Sequence, residues 1–149
     1  MTGILDSDAI DALLRRETIA HLACIRRDGR PYVVPITYAY DGEALYSYSA
    51  DGAKLEALRA NPSACVVVDH VDDAANWVSV IAWGTFRELA DEDAAQALRL
   101  ISDRLRTVAL ADAAWPLAER SYVARIGRDG VLYSITIAER TGRYFRSGA

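Results

Sequence analysis

Proline 35 stands inside the run Pro31-Tyr32-Val33-Val34-Pro35-Ile36-Thr37-Tyr38-Ala39-Tyr40, a stretch otherwise rich in β-branched and aromatic residues. A proline has no N–H to give a β-ladder, so a closed, central strand does not tolerate one. The ladder is therefore expected to open near Pro35, with backbone N–H and C=O groups freed along one edge. Groups freed in this way can pair with the polar edge of a flat heterocycle, while Val34, Ile36 and nearby aromatics cover its apolar face. An edge strand with a bulge and no ligand fits the same residues equally well.

The remaining β-prone runs follow at the spacing of an antiparallel meander. Ile19–Ile25 is a short apolar run, and Asp28-Gly29 is turn chemistry that closes a hairpin onto Pro31–Tyr40. Asp41-Gly42 marks a second turn before a third strand, in which Leu45, Ser47 and Ser49 alternate with Tyr46 and Tyr48. Ala64–His70 reads as a buried strand, followed by a polar break over 71–76. Trp77–Leu89 is long and interrupted at Gly84, where a bend or bulge is expected. Val131–Glu139 is the last strand, ending at Thr141-Gly142, with a partly loose tail over 143–149.

Helices fill the intervals. Asp6 or Ser7 can cap a short helix that carries Ile10, Leu13 and Leu14 at helical spacing, a lid or edge helix with Arg15 and Arg16 at its C-terminal end. Ala53–Ala60 makes about two turns and stops at Asn61-Pro62. Asp91 can cap a third helix whose stripe is Ala94, Leu98, Ile101 and Leu105. The stretch 115–130 is ambiguous apart from a turn at Trp115-Pro116.

With 149 residues, 52% of them hydrophobic, and no repeat or linker, the chain reads as a single α+β domain over 1–149. Antiparallel strands of this length escape exposed edges by closing into a small barrel with helices over its ends or gaps. A formal charge of −4 has the wrong sign for neutralising phosphate backbones, so no nucleic-acid partner is expected. Cys24 and Cys65 lie in apolar runs without partners at metal spacing, and read as small buried hydrophobes of a reducing compartment. The N-terminus lacks a basic region followed by an apolar stretch, and no apolar window reaches the ~18 residues a membrane span needs. A cytoplasmic protein without membrane contact is expected.

Standard catalytic sets are absent from the sequence: it has no GxSxG, HExxH, CxxC, P-loop or GxGxxG. His70, followed by Asp72 and Asp73, reads as part of a solvated acidic loop, and His21 as a strand histidine; no metal site is expected. Ser49-Ala50-Asp51-Gly52-Ala53-Lys54 says more, since it carries the chain from a strand through a glycine turn into the first turn of a helix. Exposed N–H groups at such a start bind anions, and a lysine there opposes the helix dipole unless something negative lies nearby. Asp51 acting as the cap, and Lys54 as a solvated surface lysine, remain the ordinary alternatives.

The ordered segments PYVVPITYAY, LYSYSADGAK, LRANPSACVVV, WVSVIAWGTFREL and TIAERTGR together resemble the pyridoxamine 5′-phosphate oxidase-like FMN-binding split barrels, nearest their nitroimidazole-resistance-related subgroup. The likeness runs from about Ile19 to Arg143. It implies a six-stranded antiparallel split β-barrel with flanking helices, and a homodimer holding FMN in clefts at its interface. It also implies that Val34, Pro35, Ile36 and Thr37 line the flavin ring through backbone contacts, and that Lys54, with Ser49, binds the phosphate. Ser79 matches a serine the subgroup often carries beside the flavin, and Tyr48, Trp77 and Trp83 are candidates for stacking or the dimer wall. Tyr48 replaces a histidine of many subgroup members, and the short C-terminal segment lacks the Arg- and Trp-rich element that holds the vitamin B6 phosphate.

The activity so implied is an FMN-dependent reductase, with a nicotinamide donor and a small planar acceptor such as a nitroaromatic or quinone; no catalytic side chain is assigned. A flavin-binding module without turnover is the alternative, as is a deazaflavin- or haem-binding relative on the same barrel.

Overall fold

The computed structural model describes residues 1–109 and 130–148. In chain order the elements are β1 (Thr2–Ile4), α1 (Ser7–Arg16), β2 (Ile19–Ile25), β3 (Pro31–Thr37), β4 (Ala39–Tyr40) and β5 (Ala44–Ser49). They continue with α2 (Ala53–Ala60), β6 (Ser63–Asp73), β7 (Asn76–Glu88), α3 (Asp91–Ala109) and β8 (Val131–Arg146). The expected turn at Trp115-Pro116 lies outside the described residues.

All eight strands join one antiparallel sheet in the order β3-β2-β6-β7-β8-β5-β4, with β1 added along β8. The six strands expected from the sequence are all there, and β1 and β4 are short additions. The edge strand β3 runs into the opposite edge strand β4 through one residue, Tyr38, whose buried hydroxyl donates to the Leu14 carbonyl oxygen at 2.7 Å. Past Tyr38 the chain pairs with β5, Ala39 opposite Tyr46 and Tyr40 opposite Leu45. Before it, Pro31–Thr37 pairs only with β2 among the described residues. The sheet curls on itself and stays open between β3 and β5: a split α+β barrel. The opening falls on the strand that carries Pro31 and Pro35, where the missing N–H groups cost no ladder bond on the free side.

Alternation places the core. Ala20, Leu22 and Cys24 of β2, Val66 and Val68 of β6, Val80 and Ala82 of β7, and Tyr133 and Ile135 of β8 all point inward. Ile10, Leu13 and Leu14 of α1 and Leu55 and Leu58 of α2 close this core from outside the sheet. α1 is capped as expected, with the Asp6 side chain accepting from the Ala9 N–H at 2.8 Å. α3 lies over the other face, where Ile101 and Leu105 pack with Ala39, Tyr46 and Leu132.

Three local expectations are corrected. The polar stretch 71–76 is not a break, since β6 continues to Asp73 and β7 resumes at Asn76, with Asp73 accepting from Ala75 N–H and Asn76 Nδ2 to tie the turn. β8 does not end at Thr141-Gly142, and the tail is not loose as far as Arg146: residues 143–145 pair with β1 on one side and β7 on the other. Asp91 does not cap α3 from outside but is its first residue, with φ +52°. The irregularity at Gly84 is present, and its extra residue, Ala138, belongs to β8, where the partners of Gly84 and Trp83 are Ile137 and Glu139. Among the described residues no helix is long and apolar enough to cross a membrane.

Candidate functional site

The gap between β3 and β5 is wedge-shaped. At its narrow end the Ser47 hydroxyl of β5 donates to the Thr37 carbonyl oxygen of β3 at 2.7 Å, so one acceptor of the free edge is already engaged. At its wide end the chain leaves β5 at Ser49 and enters α2. Arg26, Arg27 and Asp28 of the β2–β3 turn face Ala53, Glu56 and Ala57 of α2 across a cleft of about 220 Å³. A second, more open depression of about 460 Å³ follows around the helix start, bounded by Arg27, Asp51, Gly52 and Arg59.

Gly52 occupies the N-cap of α2, and no side chain accepts a hydrogen bond from the first turn. Asp51, which could have capped it, is turned away: its carboxylate accepts from Arg59 Nη1 at 2.7 Å, and Arg59 also donates to Glu88 at 2.9 and 3.0 Å. The leading N–H groups of α2 therefore keep their positive field unspent, and Gly52 has open space where a side chain would be.

Lys54 does not extend into bulk water. It is half-buried, its ammonium 5.9 Å from the centroid of the Tyr133 ring, and burial pushes its pKa below the ordinary lysine value. Tyr133 is wholly buried, and its hydroxyl has no hydrogen-bond partner among the described residues. Burial raises that phenol to about 12. Ser47, directly opposite it in the β5–β8 ladder, donates its own hydroxyl to Thr37, and its oxygen keeps the capacity to accept from the phenol, which works against the effect of burial. An uncapped helix start thus stands at the open end of the barrel, while the desolvated ammonium of Lys54 turns inward over the Tyr133 ring, opposite Ser47. That arrangement suits an anion whose charge offsets the buried lysine, such as a phosphate.

The other site residues are more scattered. Val34 packs against the core and Ile36 is buried within it, and the register turns their backbone N–H and C=O groups toward β2, so the free edge of β3 is presented by Val33, Pro35 and Thr37. Pro35 is exposed on the outer face opposite His21. Ser49 stands at the end of β5, its hydroxyl donating to the Ala50 carbonyl oxygen at 2.7 Å. Tyr48 shares the face of β5 that carries Tyr46 toward α3. Ser79 lies on β7 between Asp69 and Arg143, on the outer face with Ile81 and Trp83, so one chain does not bring it to Lys54. Trp77 stacks on Phe145, ring centroids 6.4 Å apart. His70 reaches Glu17 at 3.1 Å through Nδ1 and Asp72 at 3.2 Å through Nε2, so the two carboxylates meet opposite nitrogens of its ring.

Sequence reasoning passed over Tyr133, Ser47 and Arg27. Nothing local marks Tyr133, whose role depends on the pairing of β5 with β8. The Arg26-Arg27 pair before Asp28-Gly29 was visible, but only the folded turn sets it against α2.

An antiparallel sheet opened between two strands, with an uncapped helix start at the mouth, defines a split-barrel fold. The sequence model of the pyridoxamine 5′-phosphate oxidase family matches residues 6–144, and the chain belongs to that family. An uncharacterized protein of Rhizobium meliloti, RA0666, is 34% identical over 86 residues, a match that spans 58% of this chain and 56% of that relative. A solved FAD-binding protein from Mesorhizobium loti is 30% identical, with 99% of this chain and 98% of that one covered and a TM-score of 0.75. The heme storage protein HutZ of Vibrio cholerae shares the fold at 11% identity, with a TM-score of 0.71 over 94% of this chain and 96% of that one.

Proposed function

We propose that the chain binds FMN at the mouth of the split and works as a flavin-dependent oxidoreductase, passing electrons from a nicotinamide donor to a small planar acceptor. The observation that carries this is the uncapped start of α2 with the half-buried Lys54 in its first turn, across a cleft from the β2–β3 turn. Family membership and the flavin-binding name of the Mesorhizobium relative support it. The flavin supplies the hydride and electron chemistry when bound. The α2 N–H groups and Lys54 hold the phosphate, with Arg27 across the cleft adding charge. Within Val34–Thr37, the free-edge backbone groups of Pro35 and Thr37 hold the polar edge of the ring, and the barrel wall behind them keeps water out.

Self-association completes the site in this reading. Two cross-strand rows run over the outer face, Val33–Ala23–Cys65–Trp83 and Pro35–His21–Val67–Ile81. Val33 is 59%, Trp83 40% and Ile81 36% exposed, a contiguous apolar surface of the sort that marks an interface. Its margin carries both signs, Asp69 and Glu139 with Arg143, so the surface can match a second copy of itself about a two-fold axis. Ser79 lies on that face, and a partner's copy of it is the one that would reach the flavin.

The test is reconstitution: purified chain incubated with FMN, FAD or haem, then desalted, with absorbance and native mass read out. Retained FMN, followed by NADH or NADPH oxidation faster than free FMN gives, is the expected result. A protein that retains no flavin overturns the proposal. Retention of haem instead would favour the haem-binding reading, which the fold of HutZ and the exposed His21 keep in view. Retained flavin without turnover would make the chain a carrier.

A further inference from the structure

Arg59 stands in the last turn of α2, but its side chain runs back along the helix to the residue that precedes the start. Its Nη1 donates to the Asp51 carboxylate at 2.7 Å, while Nε and Nη2 donate to the two oxygens of Glu88, at the end of β7, at 2.9 and 3.0 Å. We propose that Arg59 is a positioning residue for the anion site: by holding Asp51 aside, it keeps a carboxylate of the chain itself out of the place of the phosphate. The inference rests on the phosphate reading above and names what keeps that site open.

Asp51 is a ready competitor. Aspartate is among the residues that most often cap a helix, accepting from N–H groups of the first turn, and its charge suits that end of the dipole. It precedes the cap by one residue, and the intervening Gly52 is extended, at φ 174° and ψ −166°, with open space around it. Turning Gly52 into the helix makes Asp51 the cap, a change of backbone that glycine makes at little steric cost. Arg27 lines the same depression as Asp51 and Gly52, so a released carboxylate finds a second cation there. Either contact neutralises charge that a phosphate needs.

Glu88 tips the balance. An exposed ion pair and a helix cap contribute on the same small scale, so Arg59 alone holds Asp51 no more firmly than the helix start does. The Asp51 side chain is 68% exposed and that of Arg59 38%, which makes their pair one of the weak kind. With its planar fork already engaged on Glu88, however, the guanidinium has lost the freedom that forming the second pair otherwise costs.

Fluorescence titration with FMN and with riboflavin, on wild type, Arg59→Gln, Asp51→Ala and the double variant, tests the clamp, with circular dichroism confirming that each is folded. Arg59→Gln is expected to weaken FMN binding about 10-fold and to leave riboflavin unchanged. Asp51→Ala alone is expected to stay within about 3-fold of wild type, and in the Arg59→Gln background to restore FMN binding to that level. Where Arg59→Gln does not fold, Glu88→Gln, with and without Asp51→Ala, is expected to show the same loss and the same rescue. A loss that Asp51→Ala does not repair overturns the proposal, as does one shared by riboflavin, since either makes Arg59 a direct ligand or part of the scaffold. Unchanged FMN binding in Arg59→Gln overturns it too. A wild-type chain that binds FMN no better than riboflavin overturns the phosphate reading itself, and the clamp with it.

Discussion

A methyl group on Gly84 would stand 2.2 Å from the carbonyl oxygen of Thr136 and 3.0 Å from the Ile135 side chain. The bend of β7 over β8 depends on that close approach, and backbone cannot give way as a side-chain tip can. Gly84→Ala should cost about 3 kcal/mol of stability, measured by denaturant unfolding. A loss below about 0.5 kcal/mol would mean that the two strands separate easily there.

Tyr133 carries a hydroxyl that is fully buried without a partner, and such a group costs about 1–3 kcal/mol when left unpaired. Tyr133→Phe should therefore raise the stability of the flavin-free chain by about 1 kcal/mol. A destabilised variant would show that the hydroxyl is bonded in solution.

Lys54→Ala separates phosphate from ring. Losing a charge-assisted hydrogen bond should weaken FMN binding by about 1–3 kcal/mol. Riboflavin, which has no phosphate, should bind wild type and variant alike in a fluorescence titration. An equal loss for both ligands would place Lys54 against the ring or in the scaffold.

Asp11 is held at about 2 by the hydrogen bond from Arg140 and by that from Arg15, and Tyr40 donates to the same carboxylate. An aspartate in an unfolded chain titrates near 3.9, so the depressed value contributes stability above about pH 4 that is lost as pH falls through about 2. With the Asp11 side chain 31% exposed, the contribution is about 1 kcal/mol. Asp11→Asn should be less stable than wild type at pH 7, and the difference should shrink between pH 4 and pH 2. A constant gap over that window would rule out the ionisation as its cause.

Trp83→Arg tests the outer face. An added charge at the exposed end of the row Val33–Ala23–Cys65–Trp83 should give a folded monomer at micromolar concentration by light scattering. A dimer of undiminished strength would put the interface elsewhere.

Much of the fold is legible in the sequence because the signals are local. The Asp28-Gly29 and Asp41-Gly42 turns, the Asn61-Pro62 stop and the Pro35 interruption each act within a few residues, and each stands where expected. The length of β8 is not local. Thr141-Gly142 looks like a turn, but Gly142 is buried against Leu5 and Ile10, with β7 opposite it and β1 pairing the residues that follow. The site divides in the same way. The helix start and Lys54 follow from spacing, whereas the inward turn of Lys54 over Tyr133 and the separation of Ser79 from it depend on which strand faces which.

Because Tyr38 alone carries the chain from one lip of the opening to the other, the two lips are stitched together at that end. Any widening is a rotation about this fixed point, and its amplitude grows along β3 toward Pro31. A guest inserted at the far end works with the longest lever, so small adjustments there cost the barrel least, while the stitched end keeps its shape whatever is held.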